Sequence, residues 1–293
     1  MKRIGFLFVR LWALGLSITP FHLLYLRSDF YFFVVYHVVR YRRKVVRNNL
    51  LNSFPEMGIL EIKAVEKQFY HHLIDTVVET CRLMRMSVED VKKHIDVVNP
   101  EVVEALFAHH RSFFYAFPHS GNWEWFGKRM QTLSGHHPMA IYKKVKNPEA
   151  DRFIYDLRTS LPVEMIESDA ALRTLARREG KLDAVLILAD QTSFGLESDY
   201  WNVFMHQETC WFTGLERMAR FLDYAIVFVD MKRVRRGQYE LTFHLLTDDP
   251  KSTAKGEIME RYSQHIERFI HEQPYNWLWS HRRWKHKRKH DLQ

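Results

Sequence analysis

Hydrophobic positions along this chain fall into short segments of strand or helix length, separated by turn-forming and polar residues. Apolar runs without helical spacing predict strands at 112–117, 138–142, 163–166, 184–189, 225–230 and 239–245. Segments between or after them predict helices at 60–85, 101–110, 147–160, 170–178, 211–222 and 255–272. This alternation predicts an α/β fold in which helices sandwich a mainly parallel central sheet.

The N-terminal region carries a separate hydrophobic signal. Ile4 to Leu26 is almost entirely apolar apart from Arg10, and it is flanked by basic residues on both sides. About 23 residues would just cross a hydrocarbon layer of ~30 Å, although Arg10 and Pro20 weaken a spanning helix. No convincing signal-peptide cleavage site follows, so we expect an uncleaved anchor. The shorter run Phe30–Val39 predicts an interfacial or core helix.

Composition and charge fit a membrane-bound protein of modest size. The 293 residues are 46% hydrophobic and carry a net charge of +8. Basic blocks at 40–47 and 282–289 are expected to meet anionic lipid headgroups beside the hydrophobic N-terminus, in preference to nucleic acid. We therefore divide the chain into N-terminal membrane-anchor or interfacial helices over 1–40 and a main domain over 41–293.

Two distant cysteines, Cys81 and Cys210, indicate no disulfide framework. Because no metal-ligand spacing appears, we predict no metal and no cofactor.

The strongest candidate for chemistry lies where the first predicted strand ends. His119 follows the apolar run in a Pro-His-Ser-Gly-Asn turn, and Glu124 comes five positions later at the start of a predicted helix. The carboxyl ends of inner strands are where open α/β sheets bind ligands. With His119 in the loop and Glu124 in the first helical turn, the two side chains are able to meet. Glu124 would then orient the imidazole, and the other ring nitrogen would take a proton from a hydroxyl. A chance occurrence of this spacing, without function, is the alternative.

The chain resembles the bacterial lipid A biosynthesis acyltransferases, the late lauroyl and myristoyl transferases. These belong to a wider lysophospholipid acyltransferase-like superfamily with a His-x4-Asp/Glu motif. The resemblance covers nearly the whole chain and is most specific at its C-terminal end. It rests on His119 to Glu124 and on these further elements: Arg43, Arg47, Asn49-Leu50, Phe54-Pro55-Glu56, Tyr142-Lys143, Asn147-Pro148, Arg158, Asp190-Gln191, Val203-Phe204, Thr209, Gly214 and Trp277 to Lys285.

Two positions depart from the family pattern. Lys143 replaces a customary arginine and lacks its planar, bidentate guanidinium. Met205-His206 replaces a customary Phe-Gly pair, which puts any backbone role of that glycine in doubt. These changes suggest a divergent branch, so the resemblance specifies the chemistry more closely than it specifies the acceptor.

The resemblance implies an inner-membrane enzyme, with its catalytic domain facing the cytoplasm. It would move a fatty acyl chain from an acyl carrier protein thioester to a hydroxyl of a lipid A precursor. His119 and Glu124 are the expected catalytic residues, and no covalent acyl-enzyme is needed. Arg158 is expected to stabilise developing charge or an acceptor phosphate. The other expected substrate-binding residues are Lys143, Asp190, Gln191 and Asn122.

Two other functions remain open at this stage. The same machinery would serve another membrane acceptor, such as a glycolipid or an amino-acid lipid. A non-catalytic basic protein that binds membranes or nucleic acid is the alternative from a different class. If the chain is a transferase, the large side chains of Trp123, Trp125 and Phe126 predict an apolar groove beside His119 for the donor chain, although they would equally fill a core.

Overall fold

The computed structural model of the protein describes residues 2–144, 147–159, 163–178, 180–191 and 200–288. Helices predominate before the sheet begins. They are α1 (Lys2–Ser17), α2 (Phe21–Phe33), a π-helical segment (Val34–Val39), α3 (Arg43–Ser53), α4 (Ile59–Leu83) and α5 (Val88–Lys92). The later helices are α6 (Glu101–Ala108), α7 (Trp123–Arg129), α8 (Pro148–Thr159), α9 (Ala171–Ala176), α10 (Gly214–Leu222) and α11 (Glu257–Glu272), with 3-10 turns at Met130–Thr132 and Ser168–Ala170.

A seven-stranded sheet lies at the centre, in the order β1-β9-β8-β2-β5-β3-β4. Its strands are β1 (Ile95–Val97), β2 (Phe113–Phe117), β3 (His137–Tyr142), β4 (Glu164–Glu167), β5 (Asp183–Leu188), β8 (Ala225–Arg235) and β9 (Gln238–Thr247). Every neighbouring pair is parallel except β8 and β9, which form an antiparallel hairpin. The predicted α/β fold with a mainly parallel central sheet is confirmed.

Strand β2 occupies the middle of this sheet, and all five of its residues are buried. Successive side chains point to opposite faces of a strand. Phe114 and Ala116 accordingly join one hydrophobic cluster with residues of α3, α4, α10 and α11. Phe113, Tyr115 and Phe117 join a second cluster with residues of α5, α6 and α7. A strand that is buried on both faces needs apolar side chains at every position, which explains the uninterrupted apolar sequence of β2.

The N-terminal apolar segment forms two helices and not one. Helix α1 ends at Ser17, and Pro20 precedes the first residue of α2, where its fixed φ suits a helix start. Ala13, Leu16 and Leu24 are buried in a small cluster with Val78 and Cys81 of α4. Within the described residues, the longest apolar helices fall short of what a membrane crossing needs. The prediction of a single spanning helix over 4–26 is therefore corrected to a helical pair packed on α4.

Several elements were not predicted, among them β1, α5 and a hairpin outside the main sheet. Strands β6 (Tyr200–Phe204) and β7 (Gln207–Trp211) form a separate antiparallel hairpin, so the helix expected from 211 begins only at Gly214. The two residues between the strands, Met205 and His206, both have positive φ, at 50° and 62°. Two-residue hairpin turns require this conformation, which glycine adopts without steric cost. Met205 and His206 thus adopt the positive φ of the turn, although neither of them is glycine.

Candidate active site

The candidate site lies at the edge of the sheet where β2 and β5 both end. The loop Pro118–Asn122 follows β2, and Ala189 to Gln191 follow β5, its parallel neighbour. Gly121 turns this loop with φ +56°, and a Cβ atom there would lie 2.7 Å from Met231 Cγ on β8. Both the left-handed backbone and the close approach to β8 require glycine at this position. The loop is thereby pressed against the sheet, which fixes His119 at its edge.

His119 is held by Asp190 through two contacts. The imidazole Nδ1 lies 2.5 Å from Asp190 Oδ1, and the His119 backbone N–H donates to Oδ2 at 2.9 Å. Within the described part of the chain, Nε2 makes no hydrogen bond to protein. The side chain of His119 is 18% exposed, whereas that of Asp190 is 1% exposed. A carboxylate on Nδ1 fixes the tautomer that leaves Nε2 as the proton acceptor.

Asp190 is itself braced by the C-terminal segment. The indole N–H of Trp277 donates to Asp190 Oδ2 at 2.9 Å. Burial alone would raise the pKa of Asp190, but the adjacent His119 and the hydrogen bonds from His119 and Trp277 outweigh burial and lower the pKa below its usual value. The carboxylate therefore remains ionised at neutral pH and is able to stabilise an imidazolium on His119.

Glu124 has a different partner from the one expected. Its carboxylate forms a bidentate pair with Arg158 of α8, and it also accepts a hydrogen bond from the Trp123 indole at 3.2 Å. Burial lowers the pKa of Arg158, but the hydrogen bond and the charge of Glu124 outweigh it and raise the pKa above its ordinary value. The structure thus assigns the carboxylate on Nδ1 of His119 to Asp190, and no hydrogen bond joins His119 to Glu124.

The reason for this difference is the register of the loop. Asn122 begins helix α7, where its side chain accepts a hydrogen bond from the backbone N–H of Trp125. Helix α7 therefore starts with Trp123, whose ring stands next to the His119 ring with centroids 5.4 Å apart. Glu124 follows on the same helical turn but points to Arg158. The pairing between β2 and β5 instead brings the two strand ends together, and with them His119 and Asp190.

Asn122 was expected to contact substrate, but its side chain is fully buried. Its amide donates to Glu79 Oε2 at 2.9 Å, while its oxygen caps α7. Glu79 of α4 also accepts hydrogen bonds from Tyr239 and Tyr25, and burial raises its pKa, against the hydrogen bonds from Tyr239 and Asn122. Asn122 therefore contributes to the placement of the loop through a buried polar network.

The last two residues predicted for substrate binding lie at strand ends. Lys143 follows β3 and is exposed, and Gln191 directly follows Asp190 and is half-buried. Both positions are at the same edge of the sheet as His119, since β3, β5 and β2 are parallel. The proximity of these two side chains to the reacting atoms stays a prediction.

An apolar pocket of about 40 Å³ lies beside the ion pair. It is bounded by Glu124 and Arg158 at its polar side and otherwise by Trp123, Gly127, Ala140, Ile141, Val163, Met165, Leu186 and Leu188. A second, narrower pocket of about 10 Å³ lies beside His119. Trp123 lines both pockets.

The aromatic residues of α7 divide between these pockets and the core. Trp125 and Phe126 are fully buried, and the Trp125 indole donates to the backbone oxygen of Glu79. Both belong to the core cluster on this face of the sheet. Of the three aromatic side chains expected to line a donor groove, Trp123 alone borders these two pockets.

Sequence reasoning missed the structural role of the C-terminal segment that follows α11. Asn276 accepts a hydrogen bond from the Gly121 N–H at 2.7 Å, and Trp277 forms a bridge with Ser120. Arg283 is 2% exposed, and burial lowers its pKa to about 10 while the charge of Asp190 opposes that effect. The sequence indicated a family motif and a basic block in this stretch, but no buried role was predicted for it. The concentration of tryptophan and basic residues in it was the one signal of a buried role.

Together these features define an α/β enzyme whose histidine–carboxylate pair stands at the carboxyl edge of a parallel sheet. The family model of bacterial lipid A biosynthesis acyltransferases matches residues 2–286. Because the match spans nearly the whole sequence, the chain belongs to this family and is an enzyme that transfers acyl groups. A comparison with curated proteins gives no significant match.

Proposed function

We propose that the protein is an O-acyltransferase, which moves a fatty acyl chain from an acyl carrier protein thioester to a hydroxyl of a lipid A precursor. The observation that carries this proposal is the His119–Asp190 pair, with Nδ1 held by a buried carboxylate and Nε2 turned to no protein partner among the described residues. This is the arrangement that general-base catalysis on a hydroxyl requires.

In the proposed reaction, His119 Nε2 accepts the proton of the acceptor hydroxyl as its oxygen attacks the thioester carbonyl. The oxygen–carbon bond forms first, and the carbon–sulfur bond of the tetrahedral intermediate then breaks. The imidazolium returns its proton to the leaving thiolate. Asp190 stabilises the imidazolium throughout, because its carboxylate stays ionised and in contact with Nδ1. No covalent acyl-enzyme is formed.

Glu124 and Arg158 act in this proposal as a second catalytic unit. Arg158 is a half-buried cation at the polar side of the apolar pocket. If the acyl chain of the donor lies in this pocket, the thioester group of the donor would lie beside Arg158. Its guanidinium would donate to the carbonyl oxygen as negative charge develops there, an effect of several kcal/mol in a water-excluded site. Glu124 would hold the guanidinium in place, and would not orient His119.

The proposed position of the donor chain follows from the same pocket. Its walls beyond Glu124 and Arg158 are apolar: Trp123 and Gly127 of α7, Val163 before β4, and apolar side chains of β3, β4 and β5. Such a lining excludes polar groups and favours hydrocarbon, at ~0.8 kcal/mol for each buried methylene. The volume of about 40 Å³ holds only part of a fatty chain, so the chain would widen the pocket when it binds.

We also propose that α1, α2 and the π-helical segment rest on the bacterial inner membrane, with the site on the cytoplasmic side. Large apolar side chains of this region are exposed, among them Phe8 (68%), Ile18 (70%) and Phe33 (55%). The opposite sides of the two helices are packed on α4. An apolar face combined with nearby basic residues is typical of helices that lie in the membrane interface. The proposal needs no spanning helix.

The function is tested by acyl transfer with the purified full-length protein, an acyl carrier protein thioester and a lipid A precursor. We expect His119→Ala to remove nearly all transfer while leaving the fold and vesicle binding intact. His109→Ala is the matched control, because His109 is exposed at the end of α6. Transfer by His119→Ala within about threefold of wild type would contradict the role of His119, since general-base catalysis is typically worth ~10²–10⁴-fold.

Mass spectrometry of membrane lipids with and without the gene would distinguish a lipid A acceptor from another glycolipid or an amino-acid lipid.

A further inference from the structure

A cleft of about 700 Å³ lies between helix α3, the β6–β7 hairpin and the C-terminal segment. Its volume falls within the ~300–1,000 Å³ of ordinary ligand sites. The side chains that line it are mostly basic or carboxamide-bearing. They include Arg282, Lys285, Lys287 and Arg288 from the C-terminal segment and Asn48, Asn49 and Asn52 from α3.

The lining has an excess of positive charge. Four cationic side chains face one carboxylate, Glu208, so the net charge of the lining is +3 with His286 neutral. Arg282, Lys287 and Arg288 are exposed, and no hydrogen bond or ion pair to the described residues occupies their charged groups. Cations held close together without carboxylate partners repel one another, and an anion that binds among them relieves this repulsion.

The cleft is held open by a fixed frame. The Asn49 amide donates to the backbone oxygens of Trp279 and His281 at 2.9 Å and 3.0 Å, which ties α3 to the C-terminal segment. The Trp284 indole donates to Thr209 Oγ1 at 2.8 Å, which ties the same segment to β7. Because both walls are hydrogen-bonded to the segment that carries the basic residues, the cleft exists before any ligand binds.

The C-terminal segment contributes to both the cleft and the pocket beside His119, through different residues. Trp284 lines the cleft, and its ring lies 6.0 Å from that of Trp277, centroid to centroid. Trp277 in turn donates to Asp190, the partner of His119. Two aromatic side chains therefore separate the basic cleft from the histidine–carboxylate pair. A substrate that occupies both places would have to extend from His119 past these two side chains.

We propose that this cleft binds a phosphate-bearing part of a substrate, an inference that rests on the proposed function for its link to acyl transfer. Arginine and lysine supply charge-assisted hydrogen bonds to phosphate oxygens, and carboxamides such as Asn48 and Asn52 donate to phosphate or to neighbouring hydroxyls. Two substrates of the proposed reaction carry this chemistry. One is the phosphorylated sugar headgroup of the acceptor, and the other is the phosphodiester in the thioester arm of the donor.

The first test measures binding without catalysis. Inorganic pyrophosphate is titrated into the full-length protein by calorimetry at low salt. The variant Arg282→Gln/Lys287→Gln/Arg288→Gln is expected to bind about tenfold or more weakly than wild type, because each change removes a charged phosphate contact. The control carries three equivalent changes, Arg173→Gln/Arg177→Gln/Lys181→Gln. These residues are exposed and lie outside the cleft lining. Equal pyrophosphate binding by the cleft variant and wild type would overturn the proposal.

The second test asks which substrate uses the cleft. In steady-state transfer, the cleft variant is expected to raise KM by about tenfold or more for one phosphate-bearing substrate, with kcat within about threefold. A rise for the acceptor that disappears with a dephosphorylated acceptor identifies the headgroup. A rise confined to the donor identifies its thioester arm.

Two results of the kinetic test would overturn the substrate assignment. Unchanged KM values for both substrates would do so even if pyrophosphate binding were lost. Loss of binding to anionic vesicles with unchanged KM values would make the cleft a membrane contact. If wild type shows no transfer at all, the proposed function fails, while the pyrophosphate titration still decides whether the cleft binds phosphate.

Discussion

Replacement of Asp190 by asparagine probes the catalytic pair with little change in shape. The two Asp190 oxygens have separate partners: Oδ1 faces His119 Nδ1 at 2.5 Å, while Oδ2 accepts from the His119 backbone N–H and from the Trp277 indole. Asparagine offers one oxygen and one NH2 group. Its oxygen would take the Oδ2 position, where two donors require an acceptor. The NH2 group would then face Nδ1.

This exchange reverses the polarity of the contact with His119. An NH2 donor opposite Nδ1 requires Nδ1 to accept, which moves the ring proton to Nε2. The nitrogen that should take the acceptor's proton is then already protonated, and no carboxylate remains to stabilise an imidazolium. We expect the transfer rate to fall ~10²–10⁴-fold, the typical range for general-base catalysis. At 1.36 kcal/mol per factor of ten, this loss corresponds to about 2.7–5.4 kcal/mol of transition-state stabilisation.

The assay measures kcat and KM for transfer by Asp190→Asn, with thermal unfolding to confirm the fold. Asp169→Asn is the matched control, because Asp169 is exposed and follows β4, which is two strands away from β5 in the sheet. The lowered pKa of Asp190 means that its ionised form adds stability above its unfolded pKa, near 4, and that this stability is lost as pH falls further. Asp190 itself is therefore ionised throughout pH 6 to 8, which is the range chosen for the comparison. Transfer by Asp190→Asn within about threefold of wild type in this range would refute the assigned role of Asp190.

Three further changes test other parts of the structure. Leu188→Trp, which fills the apolar pocket, should shift the optimum of a donor series from ten to eighteen carbons toward shorter chains; an unshifted or flat profile would place the donor chain elsewhere. Asp230→Asn should raise the free energy of unfolding by about 2–3 kcal/mol at pH 8, because burial raises the Asp230 pKa from 3.8 to about 6 and penalises the ionised form. The gain should shrink as pH falls through 6 and vanish below about pH 4, and a gain independent of pH would contradict this cause. Phe8→Asp/Phe33→Asp should release the protein from anionic vesicles in high salt without loss of thermal stability, since both side chains are exposed; unchanged retention would exclude this face as the membrane contact.

Local sequence patterns were sufficient for most of the sheet. The uninterrupted apolar run of β2 and the Pro-His-Ser-Gly-Asn turn after it predicted both the strand and the position of His119. These patterns are informative because a strand buried on both faces tolerates few polar residues, and because Gly121 must adopt a positive φ. The β6–β7 hairpin escaped prediction because its turn, Met205-His206, has none of the residues that usually mark one.

The same limitation applies to the N-terminus. The hydropathy of residues 4–26 correctly indicated an apolar region. Hydropathy summed over a segment does not show, however, where a helix within it ends. The break at Ser17–Pro20 and the packing of Ala13 and Leu16 on α4 turned the predicted anchor into two shorter helices. One side of the pair is buried in the protein, so the proposed membrane contact is left to the other side.

The partner of His119 was decided by tertiary structure alone. The sequence determined that a histidine would stand at the end of an inner strand, and it offered Glu124 as the nearest carboxylate along the chain. Strand order then brought Asp190, 71 positions away, to the imidazole, while Arg158 took Glu124. Residues close in sequence have few ways to bring their side chains together. Parallel pairing of β2 with β5, in contrast, places the ends of the two strands side by side, however far apart they are in sequence. For that reason the sequence located the candidate catalytic histidine, and the sheet determined which carboxylate contacts it.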